Sequence, residues 1–369
     1  MEQFDLAIAG GGIIGTTIAY LAKSARPDLS VLLVDRSMAG RGATYFSGGH
    51  MHPHGSSAAQ RELAARSMEL YGSLATELTG IGFRPTHLFA VVSRDRSQEV
   101  LEGYIGQAAH VATKEEEKLL RRTFVDLHLE RDQVLLAGVR SQYGSPPQVV
   151  QAILRYLRTR PGFHCWESVR VDSIIADENK LRFQLSDTSV AANQAVCCTG
   201  PWMRELLGAE AVQRHGLRVK KVAALHVESI PDESDPILYF FDEDAYLLPL
   251  HAQGHWILSF TSQDWDCDPN DPLLTISSAD RRVAEALLHR YIPSWLGRGG
   301  GGRVSCDLYS RDRLPFAMRS PDCSRFVFAG AGSGFGYRLA PAIAEKALSL
   351  LEGYLPQPNR CVPSGALRS

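Results

Sequence analysis

Three glycines near the start of the chain have the spacing of a phosphate-binding turn. Gly10, Gly12 and Gly15 form the pattern G-x-G-x-x-G between an apolar run over residues 4–9 and a run over residues 13–23 with apolar positions at helical spacing. In such a turn the first glycine permits a tight bend, the second lets the backbone approach a pyrophosphate, and the third lets the helix pack on the strand. Free N–H groups at the helix start then attract the phosphates.

A carboxylate follows at a position from which ribose can be bound. Asp35 comes directly after the apolar run Val31–Val34, twenty residues after Gly15. A carboxylate there accepts hydrogen bonds from both ribose hydroxyls of an adenosine and repels a 2′-phosphate. The sequence therefore predicts an ADP-binding site for FAD or NAD, and a glycine-rich turn in an ordinary βαβ unit is the alternative. Further expected contacts with the nucleotide are Ile13, Ile14 and Arg36.

The stretch over residues 41–55 is the next candidate for chemistry. It is rich in small and polar residues and carries three alternating histidines, His50, His52 and His54. The crowded glycines predict a loop and no regular element. The histidines suggest a metal site, but no carboxylate or cysteine completes a ligand set nearby. We therefore expect no metal, and we interpret the stretch as a loop against a planar ligand.

The composition is that of a globular protein of two domains. The chain has 369 residues, of which 44% are hydrophobic and 22% charged, with a net charge of −2. The dispersed charges predict neither a nucleic-acid surface nor a membrane surface. The apolar run over residues 6–22 contains four glycines and lacks a basic flank, so we expect no signal peptide and no membrane span. The seven scattered cysteines predict no disulfide framework, which favours a reducing cytoplasm.

The order of the predicted elements indicates two interleaved architectures. Nucleotide-binding strands are expected within residues 4–35, 165–200 and 303–329, whereas residues 217–260 alternate like antiparallel hairpins. We expect an α/β fold in which a Rossmann-like parallel sheet with helices interleaves with an α+β substrate domain built on an antiparallel sheet. The expected boundaries are 1–80, 141–212 and 303–355 for the nucleotide-binding domain, 81–140 and 213–302 for the substrate-binding domain, and 356–369 for a flexible tail.

Four segments carry further local expectations. Residues 83–93 are expected to form a strand pair, and residues 141–147 a turn before a helix. The four consecutive glycines at 299–302 are expected to be a flexible return. The last long helix is expected to start near Leu339.

Six stretches occur in the order in which one enzyme family carries them. They extend over nearly the whole chain and comprise residues 10–35, 42–51, 196–202, 246–249, 310–315 and 332–341. The pattern resembles the D-amino-acid-oxidase superfamily of FAD enzymes, especially its glycine oxidase and monomeric sarcosine oxidase branch. The resemblance implies FAD as the cofactor and the family's two-domain fold.

The resemblance also implies which residues meet the flavin. The glycine cluster at 332–336 would put a helix start beside the flavin pyrimidine, where negative charge grows on reduction. A plain strand–helix turn is the alternative for this cluster. The remaining implied FAD contacts are Thr44, Ser47, Gly48, Gly49, His50, Met51, Val171, Thr199, Gly200, Trp202, Gly332, Gly334, Phe335, Gly336, Tyr337 and Arg338.

Two charged residues bear on substrate preference. Asp307 occupies the position of an arginine that binds the substrate carboxylate in amino-acid-oxidising relatives, so it would disfavour a small amino acid and favour a cation. The alternative is that Asp307 caps a loop or forms a salt bridge. Arg338 occupies the position of a carboxylate-binding lysine in the sarcosine oxidase branch and could bind a carboxylate in bidentate fashion. The alternative is that it anchors a surface carboxylate.

Three further departures concern the flavin itself. Ile257 lies near the position of the branch's oxygen-activating lysine, and Thr261 near that of its active-site histidine. An oxidase and a dehydrogenase with another electron acceptor therefore both stay open. Cys306 is one residue out of register with the cysteine that binds flavin covalently in sarcosine oxidases. We expect FAD to be mainly non-covalent, with a link through Cys306 as the alternative.

The reaction implied by the resemblance is oxidation of a C–N bond. Hydride would leave the carbon beside an amine or amino acid, and water would hydrolyse the imine; oxygen or another acceptor would reoxidise the flavin. Tyr246 would orient the substrate unless it is a core tyrosine, and His50 would lie over the flavin edge. One alternative is an α-hydroxy-acid dehydrogenase with a base from His50, His251 or His255. A flavin-binding subunit of a larger dehydrogenase is the other.

Overall fold

A computed structural model of the chain describes residues 1–177 and 179–354. The strands are β1 (Gln3–Ala9), β2 (Val31–Val34), β3 (His50–Met51), β4 (Phe83–Ser93), β5 (His110–Val111), β6 (Gln133–Gly144), β7 (Phe163–Trp166), β8 (Val171–Ala176), β9 (Leu181–Leu185), β10 (Ser189–Cys197), β11 (Arg218–Val227), β12 (Ile237–Phe240), β13 (Ala245–Leu250), β14 (His255–Phe260), β15 (Gly299–Tyr309), β16 (Phe316–Ser320) and β17 (Cys323–Gly330). The helices are α1 (Ile13–Ala25), α2 (Ala43–Phe46), α3 (Ala58–Glu77), α4 (Ser97–Gly103), α5 (Lys114–Thr123), α6 (Pro146–Arg158), α7 (Met203–Leu207), α8 (Ala209–His215), α9 (Ser278–Tyr291) and α10 (Gly336–Ser349).

The first sheet has the N-terminal strand near its centre. Its order is β16-β17-β10-β1-β2-β7, with parallel pairing from β17 to β7 and with β9 and β8 attached antiparallel beside β10. Leu6 and Ile8 face a core shared with α1, α3, α6 and α10, whereas Ala7 and Ala9 face a second core on the other side. Because both faces are buried over residues 6–9, this part of β1 is a continuous apolar run without polar alternation.

The second sheet is mostly antiparallel. Its order is β15-β11-β14-β13-β12-β4-β6-β3, with β5 beside β6 and a parallel pair between β12 and β4. One face packs on α5 and α9 around Phe124, Trp256 and Tyr291. The other face carries Tyr239, Tyr246 and Ile257 and turns toward the first sheet. The expected α/β fold with two interleaved sheets is confirmed.

Five local expectations are wrong. Residues 83–93 form one strand of eleven residues, because β4 pairs with β6 along its whole length. The turn expected at 141–147 is mostly strand, since β6 extends to Gly144. Helix α10 begins at Gly336, and the loop expected at 41–55 contains α2 and β3.

The fifth error, at the glycine run 299–302, has a steric reason. These residues belong to β15, where Gly302 pairs with Leu225. A Cβ atom at Gly302 would lie 2.0 Å from Ile276 Cδ1 and 2.5 Å from Ala224 O. Glycine therefore serves close packing in a strand here and does not mark a loop.

The course of β15 also corrects the expected assignment of residues 303–329. Residues 303–309 lie in the second sheet, where Asp307 pairs with Lys220 of β11. The boundary expected at 303 thus falls inside one continuous strand. The other domain boundaries stay predictions, and the tail expected at 356–369 lies outside the described residues.

Helix α10 contains a proline whose missing N–H is compensated from α3. Pro341 cannot donate to the carbonyl of Tyr337, four residues earlier. The hydroxyl of Tyr71 on α3 is fully buried and donates to that carbonyl at 2.6 Å. This hydrogen bond lets the helix pass Pro341 without leaving a buried acceptor unpaired.

Candidate active site

A cavity of about 540 Å³ lies between the two sheets. The carboxyl ends of β1, β2, β10 and β17 open into it, as expected for a ligand site at the edge of a parallel sheet. The inner face of the second sheet forms its opposite side. Chain segments from Gly10 to Arg338 therefore meet around one space.

The glycine turn lies at one end of the cavity. Gly10, Gly12, Ile13 and Ile14 line it, and Gly10 adopts a φ of +106° that favours glycine. Gly15 does not line the cavity. It packs against the backbone of the turn, since a Cβ atom at Gly15 would be 1.9 Å from Gly10 O. Its place fits the expected role in helix–strand packing, and the turn is open toward the cavity.

Asp35 lies at the end of β2 and lines the same end of the cavity. Its Oδ2 accepts the Gly11 N–H at 2.7 Å, and its Oδ1 accepts the Ser37 N–H at 2.8 Å. Burial raises the pKa of this carboxyl, and the two N–H donors oppose the rise. Asp35 is thus fixed beside the turn with further lone pairs available for ribose hydroxyls.

The other expected nucleotide contacts lie around Asp35. Val171, Thr199 and Gly200 line the cavity, and the Arg36 guanidinium carbon lies 4.7 Å from the ring centroid of Trp202. The residue that fixes the helix start is Thr44, whose Oγ1 accepts the Ile13 N–H at 3.0 Å.

The loop after α2 brings only part of its expected residues to the cavity. Ser47, Gly48 and His50 line it. Gly49 and Met51 do not, so the direct contacts expected of them are corrected. A Cβ atom at Gly49 would lie 1.8 Å from Gly144 O, and Met51 is buried in the core beneath. The cause is the pairing of β3 with β6, which turns alternate residues away from the cavity.

The three alternating histidines form a stack. The ring centroids of His50 and His52 are 5.3 Å apart, and those of His52 and His54 are 5.4 Å apart, with nearly parallel planes. Burial lowers the pKa of His50 to about 3 and that of His54 to about 4, and the Arg338 cation acts in the same direction. Burial is also the main cause that lowers the pKa of His52. All three rings are therefore neutral near pH 7. Among residues 1–177 and 179–354, no three potential metal ligands converge.

Arg338 is a buried cation at the edge of this stack. Its Nη1 donates to the carbonyl oxygens of His52 and His54, both at 2.8 Å, and its guanidinium carbon lies 4.3 Å from the Phe335 ring centroid. Within the described residues its Nε and Nη2 have no hydrogen-bond partner and no carboxylate pairs with it. Burial lowers its pKa to about 10, which still leaves it charged at pH 7. The alternative of a surface-carboxylate anchor is wrong, because Arg338 is buried and lines the cavity.

A row of paired residues crosses the second sheet and forms the cavity floor. Consecutive pairings join Arg303, Ala224, Ser259, Tyr246 and Tyr239, one residue from each of five neighbouring strands. All five line the cavity. Tyr246 thus faces the cavity as the substrate-orienting interpretation requires, although its ring also packs against Tyr239 with centroids 5.7 Å apart.

Two residues of this floor were not expected from the sequence. Tyr239 donates to Asp244 Oδ1 at 3.0 Å, and Asp244 also pairs with Arg313 at 3.2 Å. Arg303 stands at the other end of the row. Because side chains alternate between the two faces of a strand, the sequence could have indicated that these residues share one face of the sheet. It does not indicate which face of the sheet lines the cavity.

Asp307 lines the cavity and holds the C-terminal glycine loop. Its Oδ2 accepts the Gly334 N–H and its Oδ1 accepts the Leu308 N–H, each at 2.8 Å. These contacts favour the alternative that Asp307 caps a loop. Burial raises the pKa of Asp307, and the two N–H donors oppose this rise. The loop residues that line the cavity are Gly332, Gly334, Phe335, Gly336 and Tyr337.

Of the remaining residues considered from the sequence, some line the cavity and others point away from it. Ile257 and Thr261 line the cavity, as their expected positions near the flavin require. Cys306 points away from it into a core cluster, and burial raises the pKa of its thiol to about 12, so the covalent alternative loses its geometric basis. His251 and His255 do not line the cavity, which leaves His50 as the one proposed base that does.

Comparisons with known proteins agree with this geometry. A family model described as FAD dependent oxidoreductase matches residues 5–350. The chain belongs to this family. It is therefore an FAD-dependent oxidoreductase, and the glycine turn, Asp35 and the cavity between the sheets fit such a cofactor.

Individual relatives are distant but cover nearly the whole chain. The chain is 24% identical to a glycine oxidase of Bacillus licheniformis over 374 residues, which is 95% of this chain and 94% of that protein. Among solved structures it is similar to L-proline dehydrogenase from P. horikoshii (TM-score 0.80, 20% identity, 95% and 93% covered). It is also similar to FAD-bound L-alpha-glycerophosphate oxidase from Mycoplasma pneumoniae (TM-score 0.78, 15% identity, 95% of each chain covered). In the described part of the chain, no helix is both long and apolar enough to span a bilayer.

Proposed function

We propose that this enzyme oxidises the C–N bond of an amine that carries a carboxylate. The observation that carries the proposal is Arg338, a buried cation at the cavity without a carboxylate partner among the described residues. Two carbonyls and the Phe335 ring fix its orientation, so a substrate carboxylate meets a preorganised guanidinium. Bound FAD would supply the two-electron oxidation, converting the amine to an imine that water hydrolyses.

The chain's own residues would then bind, orient and exclude water. Gly12 and Asp35 would hold the pyrophosphate and the ribose. The start of α10 and its free N–H groups would stabilise negative charge on the flavin pyrimidine. Tyr246 would orient the substrate amine, and His50 would contribute a neutral ring beside it.

The state of His50 also weighs against the hydroxy-acid alternative. Removing the proton of an alcohol needs a base, and a histidine whose pKa is lowered to about 3 is a weak one. An amine that arrives neutral needs no such base, because its own lone pair assists hydride loss. The same cavity therefore favours amine oxidation over alcohol oxidation.

We also propose an electron acceptor other than oxygen and a cytoplasmic location. Ile257 places an apolar side chain at the cavity, which supports an acceptor other than oxygen. Turnover with an artificial acceptor under nitrogen, compared with oxygen uptake in air, distinguishes the two. The six described cysteines are all free thiols, which supports a reducing cytoplasm.

Anaerobic bleaching of the flavin absorbance tests the proposed reaction. We expect amino acids and other carboxylated amines to bleach it, whereas the matching amines without a carboxylate and the matching α-hydroxy acids bleach it at least tenfold more slowly. Arg338→Gln should remove the advantage of the carboxylate, and Arg338→Lys should keep part of it. Arg282→Gln, on an exposed arginine of α9, is the control. Equal bleaching with and without the carboxylate in the wild type would contradict the proposal.

A further inference from the structure

The end of the cavity at the second sheet has an excess of positive charge. Its lining side chains include four cations, Lys220, Arg303, Arg313 and Arg338, against two carboxylates, Asp244 and Asp307. A fifth cation in the lining, Lys221, is excluded because it pairs with Asp264 and Asp280. Two of the positive charges are therefore uncompensated before any ligand binds.

The two carboxylates are already engaged by groups of the protein. Asp244 accepts hydrogen bonds from Tyr239, Thr261 and Arg313. Burial would raise the pKa of Asp244, but the Arg313 cation and these hydrogen bonds hold it below the usual value. Asp307 accepts two backbone N–H groups. Neither carboxylate forms a hydrogen bond or an ion pair with Arg303 or Arg338, although the charge of Asp244 acts on Arg338 from a distance and opposes the fall of its pKa.

Arg303 is a half-buried cation surrounded by neutral acceptors. Its guanidinium donates to Gln253 Oε1 at 2.6 Å, to His226 Nε2 at 3.3 Å and to Ser47 O at 3.4 Å. Among the described residues no carboxylate pairs with it. Burial lowers the pKa of Arg303, and burial together with His255 and Arg303 lowers the pKa of His226 to about 4. Within the described part of the chain, no anion therefore pairs with the Arg303 guanidinium to stabilise it.

Arg303 and Arg338 stand on opposite sides of Tyr246. Arg303 begins the row that crosses the sheet, and Tyr246 follows three strands away, about 14 Å at the usual strand spacing. Tyr239 comes next and lies beside His52, whose carbonyl holds Arg338. A ligand that lies over Tyr246 therefore has the Arg303 cation toward one end of the cavity floor and the Arg338 cation toward the other.

We propose that the substrate carries a second carboxylate, which Arg303 binds while Arg338 holds the first, so that the substrate class is an amino dicarboxylate. This inference rests on the proposed function and changes none of its chemistry. It also replaces the sequence-based expectation that Asp307 favours a cationic group, because the Asp307 oxygens are bound to the backbone. Each carboxylate would meet a guanidinium that already exists in the cavity and lacks a counter-ion.

Binding of non-oxidisable acids to the holoenzyme tests this inference without turnover. The perturbation of flavin absorbance is titrated with matched pairs of equal carbon number, namely succinate and butyrate, glutarate and valerate, and adipate and hexanoate. We expect at least one dicarboxylate to bind tenfold or more tightly than its monocarboxylate. Arg303→Gln should bring that ratio to about one, Arg303→Lys should retain part of it, and Arg282→Gln should leave it intact. Arg338→Gln should weaken both members of each pair.

Two results would overturn the inference. One is equal affinity within every pair in the wild type, and the other is a ratio that survives in an Arg303→Gln variant with normal flavin content. Failure of the proposed function looks different. In that case the dicarboxylate preference and its loss in Arg303→Gln are observed, but no amino dicarboxylate bleaches the flavin anaerobically. Bleaching by simple amino acids with no preference for a second carboxylate would preserve the proposed function and refute this inference.

Discussion

A carboxylate that lines a cavity can serve the protein as well as a ligand, and Asp307 illustrates the difference. Its residue type suggests repulsion of an anionic substrate. Its contacts show two backbone N–H groups, from Leu308 and Gly334, that would lose their acceptor without it. Leu308 is fully buried, and a buried N–H without an acceptor costs about 1–3 kcal/mol, whereas Gly334 is exposed and its N–H can donate to water instead. The glycine loop at the start of α10 therefore depends on this side chain.

Replacing Asp307 separates the two roles. We expect Asp307→Ala to weaken FAD binding by about tenfold or more, since a loss of about 1.4 kcal/mol corresponds to tenfold. Asp307→Asn keeps one oxygen acceptor and should bind FAD with intermediate affinity. Quenching of FAD fluorescence gives the dissociation constants. Wild-type FAD affinity in Asp307→Ala, together with a shift in substrate preference toward anionic amines, would instead support the electrostatic role.

At the scale of elements, helix α10 and the histidine stretch are joined through Arg338 and Tyr71. Arg338 and the Tyr337 carbonyl both lie in the first turn of α10. One donates to the backbone of the histidine stretch, and the other accepts from α3. The start of this helix is thus fixed from two sides at the point where it meets the cavity.

The hydrogen bond from Tyr71 to the Tyr337 carbonyl should contribute more to the stability of the protein because Pro341 cannot donate to that carbonyl. We expect Tyr71→Phe to destabilise the protein by about 1–3 kcal/mol, because the Tyr337 carbonyl then has no donor. In a Pro341→Ala background the restored N–H can donate to this carbonyl, so the same change should cost less. Urea unfolding of the four proteins in this double-mutant cycle measures the difference. An equal cost in both backgrounds would show that the proline is irrelevant.

The buried histidines predict a loss of stability in acid. Burial holds their pKa values below the unfolded value of about 6.5, so the unfolded chain binds more protons and stability falls as pH falls below that value. Each histidine that stays neutral in the folded protein lowers the free energy of unfolding by about 2 kcal/mol between pH 7.5 and pH 5. His54→Gln should therefore reduce this pH-dependent loss by about 2 kcal/mol in urea unfolding. His87→Gln, on an exposed histidine, is the control, and equal losses in both variants would contradict the argument.

Sequence patterns could identify the parts of the site that are local in the chain. The glycine turn, Asp35 and the loop before α10 each combine a strand end with a short motif, so spacing alone indicates their place. The floor of the cavity could not be found this way, because Arg303, Ala224 and Tyr246 meet only through strand register. The glycine run at 299–302 misleads for a related reason: glycine is required there by Ile276, a neighbour that the local sequence does not show.

At the scale of the whole molecule, residues of both sheets line the cavity that we propose for FAD, so FAD should stabilise the two sheets together. At a hundred times its dissociation constant, a ligand of the folded state adds about 2.7 kcal/mol to the free energy of unfolding. We expect Tm to rise with added FAD and the flavin and far-ultraviolet transitions to coincide. Gly12→Ala should fold but lose this response, because its Cβ, 3.2 Å from Thr44 Oγ1, narrows the approach to the pyrophosphate. Gly301→Ala meets nothing within 4 Å and is the control. An unchanged FAD response in Gly12→Ala would contradict the assignment of the turn.

The position of β1 between β10 and β2, with β17 beyond β10, has a consequence for biosynthesis. The residues around the cavity are spread from Gly10 to Arg338, so the nucleotide pocket is incomplete until nearly all of the described chain has left the ribosome. At about 5–20 residues per second, this separates the first and last pocket residues by about 16 to 66 s. During that interval β1 lacks β10 and β2 lacks β7, so the nascent polypeptide exposes apolar strand edges, which are prone to aggregation, before FAD can stabilise them.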